Sequence, residues 1–383
     1  MKYFSMPSDF NNVTVDRYAE LNARHTASKV LETYGNLNPN PSELGTGRIS
    51  RGLPPVGWDK LEDYVAHSRK RGISFNYTFN SPCTGNLEFS SRGVKAISRF
   101  IERLRSAGCD MITLAAPSLI ALVRGLFPDM RVAVSTITEV DSVFAAREFS
   151  RLGVDRIILN EDILRDFALI GAIKAAVSAP IEAIVNTRCI HLCPVKPFDF
   201  NFLSHCGSIN RPAPIFDYYK WHCTRVLFRN PAEWMKMPWI RPEDLALYDR
   251  VDIFKVIGRQ LVVEGDPVRT VDHYMEGSFD GNLIALLGLF APKRLAFYPV
   301  VIDNRKLDGF AQWFTRPGRC RQNLCGECTH CAEYAARAIE PSSLAVLERR
   351  AEKFEQKLNT FHHQCNTLGL DEEEIAARTR EFV

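Results

Sequence analysis

Apolar residues in this chain follow two alternating rhythms. Short runs such as Met111–Ala115, Arg131–Ile137 and Ile181–Thr187 are largely apolar and read as buried strands. Between such runs, Ile97, Phe100, Ile101 and Leu104 fall on one helical face, as do Ile163, Phe167, Ile170 and Val177. One phrase recurs three times: a helix end, an Asp, then an apolar strand. It places Asp110 before Met111–Ala115, Asp155 before Arg156–Asn160, and Asp252 before Ile253–Ile257. Strands alternating with helices predict right-handed βαβ units and a parallel sheet. About seven strands fit between Ile73 and Pro299, which predicts an α/β fold, a (β/α)8 TIM-type barrel. A doubly wound open sheet is the second choice, and no G-x-G-x-x-G follows a strand to support it.

The rhythm breaks between Cys193 and Arg241, a stretch rich in Pro and aromatic residues that reads as a long ordered insertion. Residues 1–300 are therefore expected to form the barrel domain, with an insertion at about 193–241. Residues 301–383 are expected to form a cysteine-rich C-terminal extension with helices. There, Leu344, Leu347, Ala351, Phe354 and Leu358 make a narrow seam on a helix from about Ser342 to Leu358, which should dock on the barrel.

Composition narrows the setting. The 383 residues are 46% hydrophobic and 24% charged, enough for a large core. A formal net charge of +3 does not indicate nucleic acid as a partner. No secretory leader is visible at the start, and the run Leu283–Pro292 is too short to span a membrane. The expectation is a cytoplasmic protein whose 11 cysteines stay reduced, which favours metal or redox chemistry over disulfides.

The cysteines fall into two groups. Cys320, Cys325, Cys328 and Cys331 have C-x4-C-x2-C and C-x2-C-x2-C spacings, as ferredoxins do, with Gly326 allowing a sharp turn. An iron–sulfur cluster is expected there, with zinc as the alternative. The middle group is looser: Cys189 and Cys193, then Cys206 and Cys223. Cys83 and Cys189 each follow a predicted strand, so in a barrel both lie on the face that carries active sites. These five cysteines are candidates for a second cluster's ligands, making two 4Fe-4S clusters in all. Buried apolar cysteines are the plainer alternative; Cys109 is read as core and Cys365 as incidental.

The run NTRCIHLCPVKPFDFNFLSHC, Asn186 to Cys206, resembles the cysteine motif of the collagenase-like peptidase family (peptidase family U thirty-two). The run IRPEDLALYDRVDIFKVIGR, Ile240 to Arg259, is similar to the family's strand before its F-K-x-x-G-R element. Well-understood relatives are oxygen-independent hydroxylases of the ubiquinone pathway and of RNA. The resemblance implies a barrel-bound 4Fe-4S cluster, a hydroxylation or related redox step on a small molecule, RNA or peptide, and an anionic, prephenate-like donor. It also leaves room for a redox partner or related subunit. The C-x3-C-P spacing is tighter than the C-x6-C of the RNA-modifying branch, and the tail cysteines are an addition. A peptidase or other hydrolase of the same family is the first alternative, although no G-x-S-x-G or H-E-x-x-H motif supports serine or zinc hydrolysis. A zinc-binding structural or partner protein is the second.

Lys255 and Arg259 lie on one parity of Val251–Arg259, and cations on an apolar strand need a buried partner or an anionic ligand. They are the candidate catalytic residues, with an internal ion pair as the alternative. Asn186 and Arg188 flank Cys189 and are candidates for supporting a cofactor. Asn160, Glu161 and Arg165 sit at another strand's end. His191, His205 and His222 stand near cysteines, where a proton-shuttling role competes with plain packing.

Overall fold

The computed structural model describes residues 1–38, 52–206, 217–316, 320, 325 and 327–366. The turn expected at Gly326 lies outside the described residues. In chain order the first half runs β1 (Lys2–Pro7), α1 (Asn12–Arg24), β2 (Ser28–Gly35), α2 (Trp58–Lys70), β3 (Ser74–Phe79), α3 (Ser91–Ser106), β4 (Met111–Leu114) and α4 (Pro117–Leu126). It continues through β5 (Arg131–Val134), α5 (Val143–Arg151), β6 (Arg156–Ile158), α6 (Phe167–Ala176) and β7 (Ile181–Ile184). The segment expected to be an insertion carries α7 (Lys196–Cys206), α8 (Tyr218–Arg229) and α9 (Ala232–Lys236) before β8 (Ile253–Lys255). Then come α10 (Pro267–Glu276), α11 (Leu283–Leu287), α12 (Pro292–Phe297), α13 (His330–Ala338) and α14 (Pro341–Asn366).

All eight strands are parallel and close into a barrel, with β1 pairing β8 through Tyr3–Ile253, Phe4–Phe254 and Ser5–Lys255. β4, β6, β7 and β8 are buried at every position, as parallel strands covered on both faces must be. The recurring Asp has a physical job at the entry end of the strands. Asp155 Oδ2 accepts the Val132 N–H of β5 at 2.8 Å, and Asp252 Oδ2 accepts the Ile181 N–H of β7 at 2.7 Å. Each carboxylate thus pins a neighbouring strand where its ladder begins.

The expected face of α3 is the buried one: Ile97, Phe100, Ile101 and Leu104 face the core, and the Ser90 hydroxyl caps the helix by accepting the Gly93 N–H at 3.0 Å. Gly93 is required by close approach, since a Cβ there would lie 1.9 Å from the Leu87 carbonyl oxygen. Gly93→Ala is expected to cost about 1–3 kcal/mol, read as a lower urea midpoint at constant slope. An unchanged midpoint would show that the Leu87 turn yields freely.

Six strands, β3 to β8, lie in the range where about seven were expected, and the barrel is completed by β1 and β2 ahead of it. The helix seam of the tail is largely as expected: Leu347, Ala351, Phe354 and Leu358 are buried, while Leu344 is exposed. It docks on α8, with Trp221 and Phe354 ring centroids 5.1 Å apart, rather than on the barrel strands.

Candidate active site at the mouth of the barrel

Side chains from seven strands meet inside the barrel in a closed polar network. The Arg156 guanidinium (β6) bridges Glu32 Oε1 (β2) at 2.6 Å and Glu182 Oε2 (β7) at 2.9 Å. Lys255 Nζ (β8) lies 2.9 Å from Glu182 Oε1 and 3.3 Å from Ser5 Oγ (β1), over the Tyr34 ring. Ser5 and Asn76 (β3) donate to Glu32, and Thr113 (β4) donates to Asn76. Burial alone would raise the Glu32 carboxyl, but the charges of Arg156 and Lys255 hold it below the usual carboxylate range. Two acids and two bases neutralise one another, which is how ions persist in such a core. Lys255 is thus placed in an internal ion pair.

Above this layer, at the C-terminal ends of β5, β6 and β7, stands a second group. Asp162 accepts the Leu192 N–H at 2.9 Å, contacts Lys196 Nζ, and has His191 Nδ1 3.3 Å away. Glu161 accepts from Thr136 Oγ1 at 2.7 Å. Burial pulls the Lys196 ammonium down, but Glu161, Asp162 and Cys189 together raise it above the usual lysine value. Glu139, held at φ 53, faces the same cluster, and burial raises its carboxyl. Burial also pushes Asp162 up, yet its contact with His191 and the Lys196 charge outweigh this and hold it down to about 2. Since the folded value lies below the unfolded one near 4, this contribution is full above pH 4 and lost as pH falls toward 2. Asp162→Asn is expected to remove about 2 kcal/mol of stability at pH 7 and little below pH 2. Denaturation curves at the two pH values check it, and an equal loss at both would exclude an ionic origin.

Cys193 sits three residues before the start of α7, where the backbone N–H groups of Val195 and Lys196 interact with its sulfur. The Cys223 thiol on α8 donates to the same sulfur. That bond, these amides and the Lys196 charge hold Cys193 well below the usual thiol range, while Cys223 is driven far above it. Cys189 lies close enough to act electrostatically on both Lys196 and Cys223. The fold therefore gathers Cys189, Cys193, Cys223, Lys196, His191 and Asp162 at one edge of the mouth. Asp162, Lys196 and Glu139 were missed in the sequence. Their signal is positional, because each follows the end of a strand, where barrel enzymes carry their sites.

The other expected residues lie elsewhere. Cys83 follows β3, where its carbonyl accepts from Ser81, whose hydroxyl also meets Ser204 of α7. Cys206 closes α7, whose 11 residues put about 15 Å between its ends, so it is carried away from Cys193. Burial pushes its thiol up to about 11. Asn186 donates to the Ile257 and Leu287 carbonyls and accepts the Ile257 N–H, which ties the end of β7 to that of β8. Arg188 packs near Gly288. Arg259 pairs with Asn36 above Lys255. Arg165 reaches the Met235 carbonyl at 2.6 Å under a cover of Phe310 and Phe314, binding α9 and the tail to the barrel. Asn160 caps the turn that follows it by accepting the Asp162 N–H at 3.0 Å. His222 stacks on Tyr218, and His205 lies on α7 beside Cys206.

In the tail, Cys325 and Cys328 are exposed, and Cys320 and Cys331 are half-buried. The two expected 4Fe-4S clusters, and zinc as the tail alternative, are corrected by this arrangement. Among the described residues no three His, Cys, Asp or Glu side chains are placed so that they could hold a metal ion. The reason in the middle group is geometric: Cys206 is held off by α7, and Cys223 is engaged with Cys193 as a hydrogen-bond donor.

Residues 56–192 match the sequence profile described as Peptidase family U32. An uncharacterized protease of Methanocaldococcus jannaschii is 31% identical over 339 residues, covering 88% of this chain and 98% of that protein. Among solved structures, the U32 peptidase Mk0906 is 22% identical, with a TM-score of 0.48 over 67% of this chain and 92% of that one. The D-psicose 3-epimerase of Clostridium cellulolyticum H10 is 12% identical, with a TM-score of 0.35 over 78% and 98% of the two chains. The expected iron–sulfur hydroxylase branch, with its oxidoreductase activity, is overturned by two findings: the sequence matches are to a peptidase family and a protease, and the described residues offer no metal-holding group.

Proposed function

The chain belongs to peptidase family U32, and from that premise we propose that it hydrolyses peptide bonds at the barrel mouth with the Cys193 thiolate as nucleophile. The observation that carries this reading is the setting of Cys193. Its sulfur interacts with the Cys223 thiol, two backbone N–H groups and the Lys196 charge, and Lys196 in turn contacts Asp162, whose Oδ1 lies 3.3 Å from His191 Nδ1. A thiolate stabilised this way attacks a carbonyl carbon as it stands. The sulfur–carbon bond forms, and the carbon–nitrogen bond breaks as the His191 ring gives a proton to the leaving amine. Water, losing a proton to His191, then cleaves the thioester and returns the thiolate. Asp162 is the positioning residue, orienting His191 in the manner of a catalytic triad. Arg259, at the mouth on the β8 side, suits an acidic side chain or a terminal carboxylate of the peptide.

No described helix is long and apolar enough to cross a membrane. A reducing, cytoplasmic setting belongs to the same reading, since the mechanism needs a free thiol. The test is cleavage of an unstructured peptide mixture, followed by mass spectrometry before and after treatment with iodoacetamide. Cleavage that stops on alkylation of Cys193 supports the reading. Cleavage that survives full alkylation of Cys193, or no cleavage of any peptide, rejects it.

A further inference from the structure

Leu192 precedes the proposed nucleophile directly and has φ 53, a left-handed conformation that a branched side chain rarely adopts. Its N–H is held by Asp162 at 2.9 Å, which keeps the backbone in place. The outcome is that the leucine side chain points outward and stays 46% exposed. Strain kept beside a functional group calls for a reason in function. Phe198, on the first turn of α7, is 61% exposed on the other side of Cys193 in the chain.

These two are part of a wider pattern. Phe89, Phe144 and Val263, all strongly exposed, lie in the segments that follow β3, β5 and β8. Segments after the strands of such a barrel open on one face, so with Val13, which follows β1, six of the ten large exposed apolar side chains among the described residues lie toward the end that carries Cys193, while Met1, Leu126, Val301 and Leu344 do not. Apolar surface concentrated at one end marks a contact site rather than ordinary scatter. Its occupant must reach Cys193, which an extended peptide can do.

We propose that Leu192 and Phe198 form the side-chain subsite of the peptidase, selecting peptides with a large aliphatic or aromatic residue next to the scissile bond. This inference rests on the hydrolase reading above. A glycine at position 192 accepts a positive φ and keeps the N–H that Asp162 holds, so it removes only the side chain. Leu192→Gly should therefore fold at least as stably as the parent while losing selectivity. The measurement is kcat/KM for paired peptides that differ only in Leu or Ser beside the cleaved bond. The parent should prefer the Leu peptide, and Leu192→Gly should lower that preference about tenfold, mainly through KM. Phe198→Ser should lower it in the same sense. An undiminished preference in both variants, or a parent that does not distinguish the peptides, overturns the inference and leaves the hydrolase reading standing. Loss of cleavage of both peptides in equal measure would show that Leu192 acts only through Asp162, which also overturns it. A parent that cleaves neither peptide, nor any other, defeats the underlying reading first.

Discussion

Cys193→Ser is expected to fold normally and to cleave peptides about 10^4-fold more slowly than the parent, or worse. The argument runs from ionisation. Cys193 is stabilised as a thiolate by the Cys223 thiol, by the N–H groups of Val195 and Lys196, and by the Lys196 charge. A serine hydroxyl at the same place stays protonated, so it must lose its proton before it can attack. Stability should change little, because the oxygen can accept the same hydrogen bonds. Cys223→Ala makes the complementary point. It removes a donor to the thiolate, so the Cys193 thiol should move up toward its ordinary value and alkylate more slowly at neutral pH. The rate of iodoacetamide modification against pH reads this directly. A Cys193→Ser variant with parental turnover would eliminate the thiol mechanism.

Arg156→Met is expected to destabilise the barrel by about 3–5 kcal/mol at neutral pH, a large part of the roughly 5–15 kcal/mol that holds a domain together. Arg156 is the bridge between Glu32 and Glu182, side chains 2% and 0% exposed. Without it, two carboxylates share the single Lys255 ammonium in a site closed to water. The deficit has a sign in pH. In the parent, Glu32 is held below its unfolded value, so its contribution is present above about pH 4.5 and fades as pH falls. In the variant the uncompensated carboxyls prefer to be protonated, so the gap between the two proteins should narrow toward pH 4. Pairing Arg156→Met with Glu32→Gln should recover part of the loss. Chemical denaturation at pH 7 and pH 4.5 measures both effects, and a gap independent of pH would assign the loss to packing alone.

Much of the fold is legible in local patterns. The strands from β4 to β8 announce themselves as short runs dominated by apolar residues, β3 as an alternation of aromatic and polar residues, and α3 and α14 because one helical face is apolar. The thiols at strand ends are legible too, since a barrel opens its loops on one side. β1 and β2 were not, because Ser5 and Glu32 interrupt their apolar pattern. Those polar positions make sense only once Arg156 and Lys255 arrive from strands on the far side of the closed barrel. The cysteine spacing suggested ligand sets, but spacing along a chain says nothing about direction. α7 takes Cys206 away from Cys193, and α8 brings Cys223 to it from 30 positions further on. The sequence by itself determined the barrel class, the tail helix with its apolar seam and the family resemblance. Only the tertiary structure decided which charges cancel and which sulfurs meet, because those distances are set by barrel closure and helix direction, not by neighbours along the chain.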